Sequence, residues 1–328
     1  MRKINCTIAL KHTYKFWTIP NSFVKLIKEE FPLVAFDFVS TENELALKLS
    51  KAEIFFGWAI SRKLLANAKN LAWIQIASTG IDRRLPNDFF TSYKIELTNM
   101  KGVGADAVAE FVLGIIVGIN RGLFKAATDS YNHIWNRKYY LDIKPATKGL
   151  AQTKVGVLGY GAIGRKISFL LKHLNAKISI CSRTNWGAED KDYCFFTLER
   201  LDLFLKNLDF LIVALPLNGN THHIIGDKEL ALLPKSCFII NIAREELIEE
   251  KSLIKAINNK KIKGAWIDVL KQEPPLSTID YYEEKKILLS PHIASICEHY
   301  WDEAIQIFLL NLDRHLCGKN KINILNSF

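Results

Sequence analysis

The chain has 328 residues, 49% of them hydrophobic and 24% charged, with a net charge of +10. That length accommodates two domains of ordinary size, and the balance is globular rather than disordered or membrane-like. The basic residues are scattered and form no block interleaved with aromatics. This argues against a nucleic-acid partner and fits a positive field that gathers phosphates and carboxylates, with compositional drift as the plain alternative.

The first segment, MRKINCTIALKHTYKFW, lacks the apolar core of a signal peptide, and the longest apolar run, Phe111–Ile119, is too short to span a bilayer. Six cysteines are dispersed without metal-type spacing. No metal, no membrane and a cytoplasmic location are therefore expected. In chain order, strands are predicted at Ile4–Leu10, Leu33–Val39, Glu53–Trp58, Leu71–Ser78 and Lys94–Asn99, with helical patterns such as Phe23–Glu30 and Glu42–Leu49 between them. Strands alternating with helices point to a parallel α/β sheet. A helix over Ala105–Arg121 is apolar on nearly every side and belongs in an interior, at the junction of two domains. Gly122–Leu150 reads as aromatic and irregular, with Trp135, Tyr139 and Tyr140. It is either an arm packed on a partner subunit or a domain-wrapping loop.

A second series follows, with strands at Lys154–Leu158, Lys177–Cys181, Phe210–Ala214, Phe238–Ile242 and Gly264–Ile267, and a short one near Ile287. The last helix, Ile296–Leu316, carries Tyr300, Ala304, Phe308 and Leu312 on one face, and Gly318 is placed for a left-handed cap.

The first strand of this series runs into Gly159, Gly161 and Gly164, spaced G-x-G-x-x-G, and a helix over Ile163–Leu174 follows. In that context the pattern is a dinucleotide turn. Gly159 permits the tight turn, Gly161 admits the pyrophosphate to the backbone, and Gly164 allows close helix–sheet packing, with the helix N-terminus facing the phosphates. The next strand ends Ile180-Cys181-Ser182-Arg183-Thr184, with no carboxylate for a ribose 2′-hydroxyl. Arg183 suits a 2′-phosphate instead, and Ser182 and Thr184 offer hydroxyls. The turn favours NADP(H) and leaves NAD(H) open, the plainer reading of Arg183 being an exposed loop cation.

Three later strands end in groups suited to reducing a keto acid, at the edge where open α/β sheets keep their ligands. Arg244 offers a bidentate grip on a carboxylate. His292 is suited to protonating a carbonyl oxygen, and Glu273 is the natural carboxylate to orient it and raise its pKa. Each alone has a plain structural reading; the three together after a cofactor turn do not.

These residues, with Ser78-Thr79-Gly80-Ile81-Asp82, Val108-Ala109-Glu110 and the run from Asp209 through Leu215-Pro216-Leu217 to Thr221, resemble the D-isomer-specific 2-hydroxyacid dehydrogenases. The stretch His299–Gly318 and the Ser182–Thr184 turn look most like the glyoxylate/hydroxypyruvate reductase branch. The resemblance implies an α/β fold of two Rossmann-like or flavodoxin-like lobes with parallel sheets and an active-site cleft between them. Residues 1–101 with 295–328 would form the substrate domain and 102–294 the dinucleotide domain. It implies Arg244, Glu273 and His292 as catalytic residues, and Ser78, Thr79, Gly80 and Ile81 as the loop holding the substrate carboxylate. Beyond the two cofactor turns, it implies dinucleotide contacts at Ala162, Ile163, Leu215, Pro216, Thr221, Ile242, Ala243 and Asp268. Asp268 reads equally well as a structural strand-end acid. A homodimer acting on a small 2-keto or 2-hydroxy acid is expected, and a dinucleotide-sensing corepressor is the alternative on the same fold. One departure stands out: the family commonly has glycine after its arginine, whereas this chain has Glu245 and Glu246, read here as acids favouring the N-terminus of a helix over Glu246–Ile257.

Overall fold

A computed structural model describes residues 3–82, 84–142, 148–186, 192–275, 280–284 and 286–326. The chain divides into two units, Met1–Gly104 with Cys297–Phe328, and Ala105–Ile296. In chain order the strands are β1 (Ile4–Ala9), β2 (Val34–Phe38), β3 (Ile54–Gly57), β4 (Trp73–Ile76), β5 (Glu96–Thr98), β6 (Lys154–Leu158), β7 (Lys177–Ser182), β8 (Cys194–Thr197), β9 (Phe210–Val213), β10 (Phe238–Asn241), β11 (Gly264–Ile267), β12 (Ile287–Leu289) and β13 (Ile324–Leu325).

The first unit has one sheet, ordered β13-β5-β4-β3-β1-β2, parallel except for the terminal β13, which pairs antiparallel with β5. Its strands are short apolar runs because both faces are covered. All four residues of β3 are buried, and the strand's alternation sends Phe56 to one face and Phe55 to the other. Phe56 stacks on Phe308 of the final helix, Tyr300–Leu316, at 4.3 Å between ring centroids.

The second unit has an all-parallel sheet ordered β12-β11-β10-β9-β6-β7-β8. The order reverses at β6, which lies between β7 and β9, and that switch point is where such sheets bind dinucleotides. Val155, Val157, Ile212 and Ile240 pack on one side beneath the helices Ala105–Arg121 and Ala162–His173. On the other side Leu211, Val213 and Ile239 pack with Leu253 and Ile257 of the helix Glu250–Asn258.

The structure departs from the sequence expectations at four places. Gly122–Leu150 contains the helices Leu123–Tyr131 and Arg137–Asp142. Gly122, at φ 67°, ends the preceding helix and starts the first of these, and a Lys125–Asp129 ion pair of 2.8 Å supports it one turn apart. Strand β8 escapes a hydrophobic pattern because it lies at the sheet edge and none of its residues is buried. The helix expected over Glu246–Ile257 begins at Glu250, after a separate 3-10 turn at Glu245–Leu247. The last helix begins at Tyr300, and its expected end is present: Gly318 has φ 67°, and Lys319 donates back to the Arg314 carbonyl at 2.7 Å. Among the described residues no single helix is long and apolar enough to cross a membrane.

Candidate active site

The glycine turn follows β6 directly. Gly159 has φ 110°, and a Cβ there would lie 2.5 Å from the Ala214 carbonyl oxygen. A Cβ on Gly164 would lie 2.1 Å from the Gly159 carbonyl oxygen. Neither position admits a side chain. Gly161 is different: a Cβ there meets nothing within 4 Å, so its freedom serves no contact inside the protein. It is the N-cap of the helix Ala162–His173 and supplies no side-chain cap, leaving the first-turn N–H groups available to an anion. Ala162 and Ile163 open this helix. Open backbone at Gly161 before a helix N-terminus fits the pyrophosphate of a dinucleotide.

At the end of β7, Arg183 and Thr184 are exposed. Ser182 is buried, and its hydroxyl donates to the Thr184 carbonyl at 2.6 Å, so it shapes the turn rather than offering its hydrogen to a ligand. Beside the glycine turn, the Arg165 guanidinium lies over the rings of both Tyr160 and Trp186, 4.2 and 4.3 Å from their centroids. No spacing rule foretold that stack. After β9, the buried Thr221 closes the Leu215–Pro216 loop by donating to the Pro216 carbonyl at 2.7 Å and accepting from the Asn218 N–H at 2.8 Å.

Three strand ends bring Arg244, Glu273 and His292 into one electrostatic cluster. After β10, the fully buried Asn241 accepts from the Ala243 N–H at 3.1 Å and donates to the Arg244 carbonyl at 2.7 Å. This fixes the turn through Ile242 and Ala243 that presents Arg244. After β11, Asp268 is 1% exposed, and its two oxygens accept from the Ser290 hydroxyl at 2.5 Å, the Ile293 N–H at 3.1 Å and the Ala294 N–H at 3.0 Å. Ser290 in turn accepts from the Trp266 indole at 2.8 Å. Asp268 therefore anchors the turn that carries His292. Burial raises its carboxyl above the ordinary value, against the opposing pull of Ser290, the two amides and His292. Asn241 and Ser290 went unassigned from sequence; the available signal was a polar residue closing an otherwise apolar strand.

His292 itself has φ 53°, a left-handed conformation unusual for a residue with a side chain. Its Nδ1 lies 2.7 Å from Glu273 Oε2, while Glu273 Oε1 accepts from the Leu270 N–H at 2.8 Å. Burial pushes the Glu273 carboxyl up, but the hydrogen bonds from His292 and Leu270 and the charges of His292 and Arg244 outweigh it, leaving it below its ordinary value. An ionised carboxylate offers only acceptors, so the proton between the two sits on Nδ1 and Nε2 is the nitrogen left for chemistry. His292 remains about half exposed, with side-chain accessibility of 45%.

In the first unit, the Ser78–Ile81 turn leaves β4 and is fastened at several points. Ser78 donates to the Gly80 carbonyl at 2.7 Å, Thr79 to the Met100 carbonyl at 2.9 Å, and Asn99 to the Thr79 carbonyl at 2.5 Å. The buried Tyr300 hydroxyl holds the adjoining Ala77 carbonyl at 2.8 Å. The Ile81 side chain is buried in the core, so only its backbone is available to a ligand.

Residues 113–294 match the family profile described as D-isomer specific 2-hydroxyacid dehydrogenase, NAD binding domain. Glyoxylate reductase of Thermofilum pendens is 32% identical over 248 residues, covering 72% of this chain and 69% of its own. Glyoxylate reductase of Thermococcus litoralis is 28% identical over 281 residues, 81% of this chain and 80% of its own. A D-isomer specific 2-hydroxyacid dehydrogenase family protein from Aeromonas salmonicida superimposes with a TM-score of 0.83 at 22% identity, covering 99% of each chain. The chain belongs to the D-isomer specific 2-hydroxyacid dehydrogenase family. It is an oxidoreductase of the class that uses a nicotinamide dinucleotide to interconvert a 2-keto acid and a 2-hydroxy acid.

Proposed function

We propose that the protein reduces glyoxylate, hydroxypyruvate or a closely related small 2-keto acid to the D-2-hydroxy acid, with NADPH preferred over NADH. The observation that carries this reading is the 2.7 Å His292–Glu273 pair in the electrostatic reach of Arg244. The glyoxylate reductases among the relatives support the substrate class.

When bound, the dinucleotide supplies the hydride. The backbone around Gly161 and the N-terminus of the helix after it hold the phosphates, and the exposed Arg183 receives the 2′-phosphate. Arg244 grips the substrate carboxylate and polarises the carbonyl, and in the first unit the backbone amides of the Ser78–Ile81 turn are the proposed carboxylate contact. His292 Nε2 delivers a proton to the carbonyl oxygen as it becomes an alcohol, and Glu273 keeps the ring oriented. The assembly we propose is a homodimer through the segment of the helices Leu123–Tyr131 and Arg137–Asp142, where Trp135 is 92% and Tyr131 86% exposed.

The test is absorbance of the reduced nicotinamide while the protein is mixed with glyoxylate, hydroxypyruvate or pyruvate, with NADPH and NADH in parallel. Fast loss of NADPH absorbance with glyoxylate or hydroxypyruvate is the expected result. Preference for NADH, or turnover restricted to pyruvate, contradicts the corresponding part of the proposal.

A further inference from the structure

Glu245 follows Arg244 directly. It does not sit at the N-terminus of the following helix, which starts at Glu250. It lies in the 3-10 turn Glu245–Leu247, and its Oε2 accepts a hydrogen bond from the Lys271 N–H. Lys271 follows Leu270, whose N–H is held by Glu273 Oε1 at 2.8 Å. The other oxygen of Glu273 holds His292 Nδ1 at 2.7 Å.

From this chain of contacts we infer that Glu245 is a positioning residue: it braces the Leu270–Glu273 turn from the arginine loop and so keeps Glu273 in register with His292. This rests on the proposed roles of Arg244, Glu273 and His292. Within the turn, Glu273 gives a local restraint, its Oε1 accepting from the Leu270 N–H three residues earlier. Glu245 adds a restraint from a sequence distance of 26 residues, which ties the loop after β11 to the loop after β10. An anchor of this kind ties together two loops that act on one substrate, and small misplacements at a reacting centre are costly in rate.

The electrostatics show that this acid is not an ordinary surface carboxylate. Glu245 is half-buried; that burial and the neighbouring acids Glu250 and Glu246 raise its carboxyl above the ordinary range, opposed by the Lys271 N–H and ammonium group. The partner from which its carboxyl accepts is the backbone of the Glu273 turn.

The experiment compares Glu245→Ala, Glu245→Gln, Glu273→Gln and the double variant Glu245→Ala/Glu273→Gln in the full chain, reading keto-acid turnover, NADPH affinity, melting temperature and hydrogen exchange at the Lys271 amide. Glu245→Ala is expected to speed exchange at Lys271 and to lower kcat about tenfold, with NADPH affinity and melting temperature unchanged. Glu245→Gln keeps an oxygen acceptor and restores both readouts. In the Glu273→Gln background, Glu245→Ala costs nothing further, since the register it maintains no longer matters. Full turnover by Glu245→Ala, or losses that add across the two sites, overturns the proposal. If wild-type protein turns over none of the keto acids, the functional reading fails by itself, while exchange at Lys271 in wild type and Glu245→Ala still decides whether the brace exists.

Discussion

The glycine turn after β6 and the loops after β11 and β12 stand on the same edge of one sheet, yet they are held by opposite means. The glycine turn is fixed by exclusion: side chains at Gly159 and Gly164 have no room, so helix, turn and strand close on one another. The loops of Glu273 and His292 are fixed by attachment, through the carboxylate of Asp268 on Ser290, Ile293 and Ala294 and that of Glu273 on Leu270 and His292. A phosphate site needs a bare backbone and tolerates steric definition. A proton-transfer site needs side chains at set angles, and only directional bonds to buried acceptors provide that.

The contrast yields predictions, of which the largest concerns the attached loop. His292→Ala removes the proposed proton donor and is expected to lower kcat by about 10²–10⁴-fold, with NADPH affinity, followed by fluorescence titration, unchanged. The glycines come next and separate the two kinds of constraint. Gly164→Ala places a Cβ against the Gly159 carbonyl and should cost about 1–3 kcal/mol of stability in chemical denaturation. Gly161→Ala has space for its methyl and should melt like wild type, yet weaken NADPH binding at least about tenfold because the methyl occupies the approach of the phosphates. If the two variants behaved alike, the distinction between packing and ligand glycines would be wrong. Arg183→Ala should weaken NADPH by about tenfold or more through loss of a charge-assisted contact, with NADH little changed; equal loss of both contradicts the 2′-phosphate role.

The smallest effect is in pH. Folding lowers the Glu273 carboxyl below its ordinary 4.5, so its contribution to stability is complete above that value and is lost as pH falls through the lower folded one. Melting temperatures of wild type and Glu273→Gln should therefore differ by about 1–2 °C at neutral pH, as befits a partly exposed pair, and converge in acid below 4.5. Parallel curves down to strong acid would show that the pair does not titrate as described.

Much of this was legible in the sequence because the relevant patterns are local. Strand β6 and the three glycines lie within a dozen residues, and Lys154–Leu158 and Gly264–Ile267 are found with the expected bounds. Arg244, Glu273 and His292 were identifiable because each follows an apolar strand. What stayed hidden depends on partners distant in the chain. Asp268 reads as either a ligand contact or a structural acid until Ser290, Ile293 and Ala294 are seen on its oxygens. Glu245 reads as a helix-start acid until Lys271 is seen across 26 positions. Ser182 reads as a ligand donor until its hydroxyl is found turned to Thr184. Strand β8 is hidden because an edge strand with no buried residue needs no apolar alternation.

The most direct test of the central claim is NADPH oxidation by glyoxylate and hydroxypyruvate with wild type and His292→Ala side by side, cofactor binding being measured on the same samples. Rapid oxidation by wild type, and its loss in a variant that still binds NADPH, is the predicted result. Undiminished oxidation by His292→Ala would contradict the assignment of His292 as the proton donor, and with it the account of why Asp268 and Glu273 are arranged around it.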